Sequence, residues 1–123
     1  MTKDLMSKIL NELIQQVNCT PDSDNYSYKQ EVDIRCCFDD VLLFINKSSL
    51  DNSWMRRVEN IKLKLYNEEG RIISGKWYYK KLDLLGCLES ISKEVDLYYD
   101  EITSYYIKNA NQDFEYTLLP HYT

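Results

Sequence analysis

Residues 84–109, LLGCLESISKEVDLYYDEITSYYIKN, contain the strongest structural pattern of the chain. Their large apolar residues follow one another in alternating steps of four and three, which places them on one side of an α-helix. No Pro interrupts the stretch, and Asp83 directly before it is a suitable N-cap. The sequence therefore predicts a long helix from Leu84 to Asn109 with one buried stripe. That stripe consists of Leu84, Leu88, Ile91, Val95, Tyr98, Ile102 and Tyr105.

Before this helix the sequence predicts a sheet. From Tyr26 to Phe38, apolar and aromatic residues are enriched at even positions, a period of two that is typical of a strand with one buried face. Three further segments have strand-like composition, and the turn residues of Asn67–Gly70 separate the last two. The four predicted strands cover residues 26–38, 41–45, 58–66 and 71–80.

These segments follow a predicted first helix, capped by Thr2 and ending near Val17. The expected fold class is therefore α+β, with an antiparallel four-stranded sheet flanked by an N-terminal helix and a long C-terminal helix (α-β-β-β-β-α). A chain of 123 residues is expected to form a single domain. Residues 110–123 are left open between an edge strand and a loosely ordered tail.

The composition argues for a cytoplasmic protein without a membrane partner and disfavours nucleic-acid binding. The formal charge is −5 and the sequence pI is near 4.9, which disfavours non-specific attraction to polyanions. The first ten residues lack the apolar run of a signal peptide. In a reducing compartment the four cysteines are interpreted as free thiols. They are Cys19, Cys36, Cys37 and Cys87.

Catalytic and cofactor motifs are not recognisable in the sequence. The single imidazole, His121, stands three residues from the end of the chain, and no nucleophile–base pattern surrounds it. Gly70 and Gly75 are interpreted as turn and bulge residues, because no phosphate-binding loop contains them. Adjacent carboxylates occur as Asp39-Asp40 and Glu68-Glu69, which we interpret as solvated surface groups. The sequence therefore predicts no enzyme activity, no metal and no cofactor.

Charge is unevenly distributed along the chain. Eight basic and three acidic residues lie between Arg56 and Lys81, whereas the predicted long helix is acidic. A basic hairpin with interleaved aromatic residues, including Trp77, is one hypothesis for nucleic-acid contact, which the acidity of the whole chain disfavours. The other is that the acidic, tyrosine-bearing side of the long helix binds a basic protein partner. The residues predicted for that surface are Asp96, Tyr99, Asp100, Glu101 and Tyr106.

In size, acidity, lack of a catalytic motif and an acidic aromatic surface, the chain resembles bacterial immunity proteins. The resemblance implies a non-catalytic cytoplasmic inhibitor that neutralises a cognate, nuclease-type toxin domain by occluding its active site. A secretion-effector chaperone, which would be a homodimer, is the first alternative. A phage anti-defence protein or nucleic-acid mimic is the second.

Overall fold

The computed structural model describes residues 1–23 and 25–99, and within them the chain forms four helices. These are α1 (Lys3–Asn18), α2 (Tyr28–Lys47), α3 (Asn52–Leu65) and α4 (Trp77–Tyr98). Each helix packs against the next, and α4 packs against α1. Hydrogen bonds from Lys3 to Asp96 and from Trp54 to Glu94 join the start of one helix to the end of its neighbour, so α4 is antiparallel to both α1 and α3. The fold is a four-helix bundle whose connections are short.

The predicted α+β class is therefore wrong. In the part of the chain that the structure describes, no strand is present, and the only β-type pairing is a single antiparallel bridge between Tyr66 and Ile72. The core is formed by the inner faces of all four helices rather than by a helix on a sheet.

The first helix was predicted correctly. The Thr2 hydroxyl accepts a hydrogen bond from the backbone N–H of Leu5 at 3.2 Å, which satisfies one of the free donors at the helix start. Met6, Leu10, Leu13 and Val17 are buried, at the spacing of one helix face.

Helix α2 replaces the first two predicted strands, at residues 26–38 and 41–45. A capping box begins it: Gln30 N–H donates to the Ser27 hydroxyl at 3.2 Å, and Ser27 N–H donates to the Gln30 side chain at 2.8 Å. Tyr28, at an apolar position of the proposed alternation, is instead 72% exposed. The residues that are buried recur every three or four positions. They are Glu31, Ile34, Cys37, Phe38, Val41, Phe44 and Ile45.

Helix α3 replaces the predicted strand at 58–66. The Asp51 carboxylate caps it by accepting from Ser53 N–H at 2.7 Å. Trp54, Val58 and Leu65 are buried, whereas Leu63, which a strand would place on the same face as Leu65, is 75% exposed. The strand-like composition of residues 58–66 therefore belongs to an amphipathic helix.

The connection between α3 and α4 contains the predicted turn but not the strand predicted after it. Gly70 has a φ of 77°, and the Asn67 side chain accepts from the N–H groups of Glu69 and Arg71 at 3.0 and 2.9 Å. Pairing ends after the single bridge at Ile72. Gly75, with a φ of 81°, then turns the chain into α4 at Trp77.

The first four positions of the predicted stripe are correct, and the predicted bounds of the long helix are wrong. Leu84, Leu88, Ile91 and Val95 are fully buried, as expected. The helix begins before Asp83, with Lys76 at its N-cap position, and ends at Tyr98. The predicted positions Ile102 and Tyr105 and the predicted tail at 110–123 lie outside the described residues. Among the helices described, none has the length and apolar character needed to cross a bilayer.

Candidate functional site

The predicted partner surface falls at the carboxyl end of α4, and the structure describes two of its five residues. Asp96 is exposed on the last turn, where its backbone carbonyl accepts a hydrogen bond from Lys3 Nζ at 3.0 Å. Tyr99 is the C-cap residue of α4. Asp100, Glu101 and Tyr106 lie outside the described residues.

The structure reverses the expected roles of two neighbouring tyrosines. Tyr98, predicted to be in the buried stripe, is 70% exposed, whereas Tyr99, predicted to be outside it, is half-buried and packs against the core. The reason is that α4 ends at Tyr98. Tyr99 has extended backbone angles (φ −113°, ψ 127°), so its ring leaves the helical path and its hydroxyl donates to the Ser49 carbonyl at 3.3 Å.

Sequence reasoning therefore missed the two most exposed apolar side chains of this helix end. Leu97 is 73% exposed and stands next to Tyr98. Position 97 follows the buried Val95 by two residues, which on a helix is nearly the opposite side. An apolar residue on the wet face of the predicted helix was the signal that could have identified it.

The charges of α4 oppose its own dipole. A helix has partial positive charge at its N-terminus and partial negative charge at its C-terminus. Yet Lys76 occupies the N-cap without a side-chain cap hydrogen bond, no acid lies in the first turn, and no base lies in the last turn, where Asp96 is found. Asp96 thus adds to the negative potential at the helix end and does not stabilise the helix.

Contacts with α3 hold this end of α4 in place. Trp54 Nε1 donates to the Glu94 carboxylate at 2.8 Å, and the Arg57 guanidinium lies 4.7 Å from the centre of the Trp54 ring. Burial raises the pKa of the Tyr99 phenol, so it stays a neutral donor to Ser49. A surface fixed in this way loses little conformational entropy when something binds to it.

The basic segment does not form the predicted hairpin. Trp77 is fully buried and donates through Nε1 to the Pro21 carbonyl at 2.9 Å, so its ring is not available for stacking on a base. Tyr78 and Tyr79 are exposed, but their rings stack on each other with centroids 5.6 Å apart. The hairpin of the nucleic-acid hypothesis is therefore not formed in the described residues, and Trp77 is excluded as a stacking platform.

The remaining charged groups singled out in the sequence make ordinary structural contacts. Asp39 pairs with Lys62 at 3.4 Å, and Asp40 accepts from the Gln16 side chain at 3.0 Å. Within residues 1–23 and 25–99, no group of His, Cys, Asp and Glu side chains is arranged to hold a metal ion.

Comparison with known proteins gives no relative. No family model, no curated protein and no solved structure matches the chain.

Proposed function

We propose that this chain is a binding protein rather than an enzyme, and that it attaches to a basic protein through the carboxyl end of α4. The observation that carries the proposal is that Tyr98 and Asp96, on nearly opposite sides of the last turn of α4, expose an aromatic ring and a carboxylate at a helix end that is held in place. We call these two residues the end surface.

The side chains of the end surface indicate which surface chemistry a partner would need. A tyrosine that is 70% exposed can bury a large apolar area on binding and still offer its hydroxyl for a hydrogen bond. The carboxylate and the negative end of the helix dipole favour Lys or Arg side chains around this helix end. The partner would therefore present a cationic rim around an apolar depression.

Enzymes that act on nucleic acids have cationic active-site clefts of this kind. Covering such a cleft stops the enzyme without any chemistry by the inhibitor. This reasoning supports an immunity-type role, in which the chain neutralises a basic nuclease toxin by occlusion. The predicted residues Asp100, Glu101 and Tyr106 would extend the surface.

The test is capture followed by inhibition. The tagged chain is used to retain proteins from its native host, in parallel with the double variant Asp96→Lys/Tyr98→Ala. A matched control is Asp33→Lys/Tyr28→Ala, because Asp33 is also exposed and Tyr28 is 72% exposed on α2. We expect one basic protein to be retained by the wild type and the control and lost by the end-surface variant.

The retained protein is then purified and its nuclease activity titrated with the chain. Inhibition that is complete at a one-to-one ratio, and that the end-surface variant loses, is the expected result. If the wild type, the end-surface variant and the control variant retain the basic protein equally, the placement of the surface is contradicted. Capture of unfolded clients by a homodimer would replace the proposal with the chaperone, and displacement of nucleic acid from the captured protein without a one-to-one complex would favour the mimic.

A further inference from the structure

The outer side of α4 carries a second regular pattern, separate from its buried stripe. Exposed positions recur in steps of four, three, four, three and four, which is the 3.5-residue period of a helix that packs along another helix. The two ends of the pattern are apolar: Tyr79 is 68% and Leu97 is 73% exposed. We call this set the outer seam. Its six members are Tyr79, Asp83, Gly86, Ser90, Lys93 and Leu97.

Gly86, near the centre of the outer seam, is not required by the bundle. It lies inside a helix of 22 residues, where Gly costs roughly 0.5–1 kcal/mol relative to Ala. A Cβ atom built at this position would meet no atom within 4 Å, so the described structure has room for a side chain. A helical glycine in open space leaves room for another backbone to approach closely.

The outer seam is complementary to itself when a second copy runs antiparallel. With Gly86 placed opposite Ser90 of the second copy, Tyr79 lies opposite Leu97 and Asp83 lies opposite Lys93. Small residues then meet at the centre, apolar residues meet at both ends, and an acid meets a base between them. Two-fold symmetry makes each of these pairs occur twice. We infer that a second copy of this chain docks antiparallel on the outer seam in this register.

The register displaced by one heptad toward the start of the helix lacks this complementarity. With Gly86 opposite Asp83 of the second copy, Lys93 would lie opposite Lys76, which places like charges together and disfavours that arrangement.

A groove with a volume of about 520 Å³ runs between α3 and α4 beside the outer seam. Arg57 and Asn60 line it from α3, and Gly86, Cys87 and Ser90 line it from α4. Gly86 and Ser90 of the outer seam therefore border open space that a second copy can occupy.

A charge-swap experiment tests both the dimer and its register. Asp83 and Lys93 of one chain are about 15 Å apart along the helix, so they cannot pair within a single molecule. Asp83→Lys alone and Lys93→Asp alone would each place like charges in contact twice per dimer. We expect each single variant to raise the dimer dissociation constant about tenfold and the double variant to restore it, because the swapped pair is again complementary.

The measurement is sedimentation velocity of the purified chain over a concentration series. Asp33→Lys, an exposed change on α2, is the matched control and should leave the dissociation constant unchanged. Gly86→Gln is a second test, because Gln is a good helix former and the position is open in the single chain. It should keep the helical circular dichroism spectrum and abolish the dimer.

Three results would overturn the inference. They are a chain that stays monomeric up to about 1 mM, a dimer that Gly86→Gln does not weaken, and single charge variants whose effects the double variant does not reverse. The experiment uses the chain without any partner, so its outcome is independent of the proposed function.

Discussion

Lys81 is the residue that fastens the α1–α2 connection to α4. Its ammonium group is buried and donates to the Thr20 carbonyl at 2.7 Å, to the Asn18 carbonyl at 3.4 Å and to the Asp22 carboxylate at 2.5 Å. A cation at the C-terminal end of α1 also matches the negative end of that helix dipole. The charge of Lys81 therefore stabilises the fold.

We expect Lys81→Met to lower the free energy of unfolding by about 2 kcal/mol, because it leaves buried carbonyl oxygens without a donor while keeping the packing of the side-chain stem. Urea denaturation followed by circular dichroism measures the change. Lys80→Met is the matched control, since Lys80 makes a long contact of 3.5 Å with the exposed carboxylate of Asp83. If both substitutions cost the same, the network around Lys81 is not the cause.

Glu31 makes the stability of the bundle depend on pH. Arg71 donates to both oxygens of the carboxylate at 3.0 Å, and Ile72 N–H donates to it at 3.2 Å. The hydrogen bonds from Arg71 are the main reason that the pKa of Glu31 lies below its ordinary value of 4.5. A carboxyl group with a lowered pKa in the folded state stabilises that state above its unfolded pKa, and this contribution is lost as the pH falls through the folded value.

Glu31→Gln should therefore cost about 2 kcal/mol at neutral pH and progressively less below pH 4.5, where the wild-type carboxyl group begins to be protonated on unfolding. Chemical denaturation of both proteins across the acidic range gives the difference directly. Asp33→Asn, an exposed change on the same helix, provides the baseline. A difference between wild type and Glu31→Gln that stays constant with pH would mean that the ion pair contributes nothing through its charge.

At the level of elements, two glycines should respond in opposite directions to the same substitution. Gly86→Ala should raise the free energy of unfolding by about 0.5–1 kcal/mol, since alanine is the better helix former and the position is open. Gly70→Ala should lower it by about 1 kcal/mol, because φ is 77° there and an L-residue is strained in that conformation. Thermal denaturation at a concentration that keeps the chain monomeric compares them. A loss of stability in both would show that Gly86 is needed within the single chain.

The first and last helices, α1 and α4, were predictable because their capping and periodicity signals agree. In α1, the Thr2 cap and the spacing of Met6, Leu10 and Leu13 point to the same element. In α4, the stripe of Leu84, Leu88 and Ile91 is long enough to exclude a strand. The bounds of α4 were wrong because the sequence offers Asp83 as a cap, and the structure starts the helix at a position that has no side-chain cap.

The two middle helices of the chain, α2 and α3, were predicted as strands because short sequence segments do not reveal the helical period. In α2, Tyr28 and Val32 at even positions suggested a buried strand face, yet both are exposed and the true face is set by Ile34, Phe38 and Val41. The capping box of Ser27 and Gln30 was the sequence signal for a helix. Reading the stretch over 20 residues would have favoured the helix, since it contains neither Gly nor Pro.

The exposure of Asp96 was predictable from the sequence, whereas the exposure of Tyr98 and the burial of Tyr99 were not. The exchange of Tyr98 and Tyr99 depends on the residue at which the helix ends, and helix ends are the least certain feature of any periodic pattern. Tyr99 is held by the Ser49 carbonyl, a partner fifty residues away that no local pattern reveals.

At the scale of the whole molecule, the four cysteines differ in their solvent exposure within the bundle. Cys19 and Cys36 are exposed, Cys87 is half-buried and Cys37 is 1% exposed. Burial raises the pKa of the Cys37 thiol to about 12 and raises that of Cys87 as well. The thiolate is the reactive form of cysteine. Burial and a raised pKa therefore both lower the reactivity of Cys37 and Cys87.

We therefore expect Cys19 and Cys36 to be alkylated rapidly in the native protein at about pH 8, Cys87 more slowly, and Cys37 only when the bundle opens. Cys37 lies near the middle of α2 and belongs to the hydrophobic core, so its exposure requires separation of helices rather than fraying of one end. Its alkylation rate, divided by the rate in urea, should give the same free energy of unfolding as urea denaturation itself, provided that closing is faster than alkylation. Peptide mass spectrometry after timed alkylation assigns each rate. Rapid labelling of Cys37 in the native protein would show that the helices separate locally, and the single cooperative core described above would then be wrong.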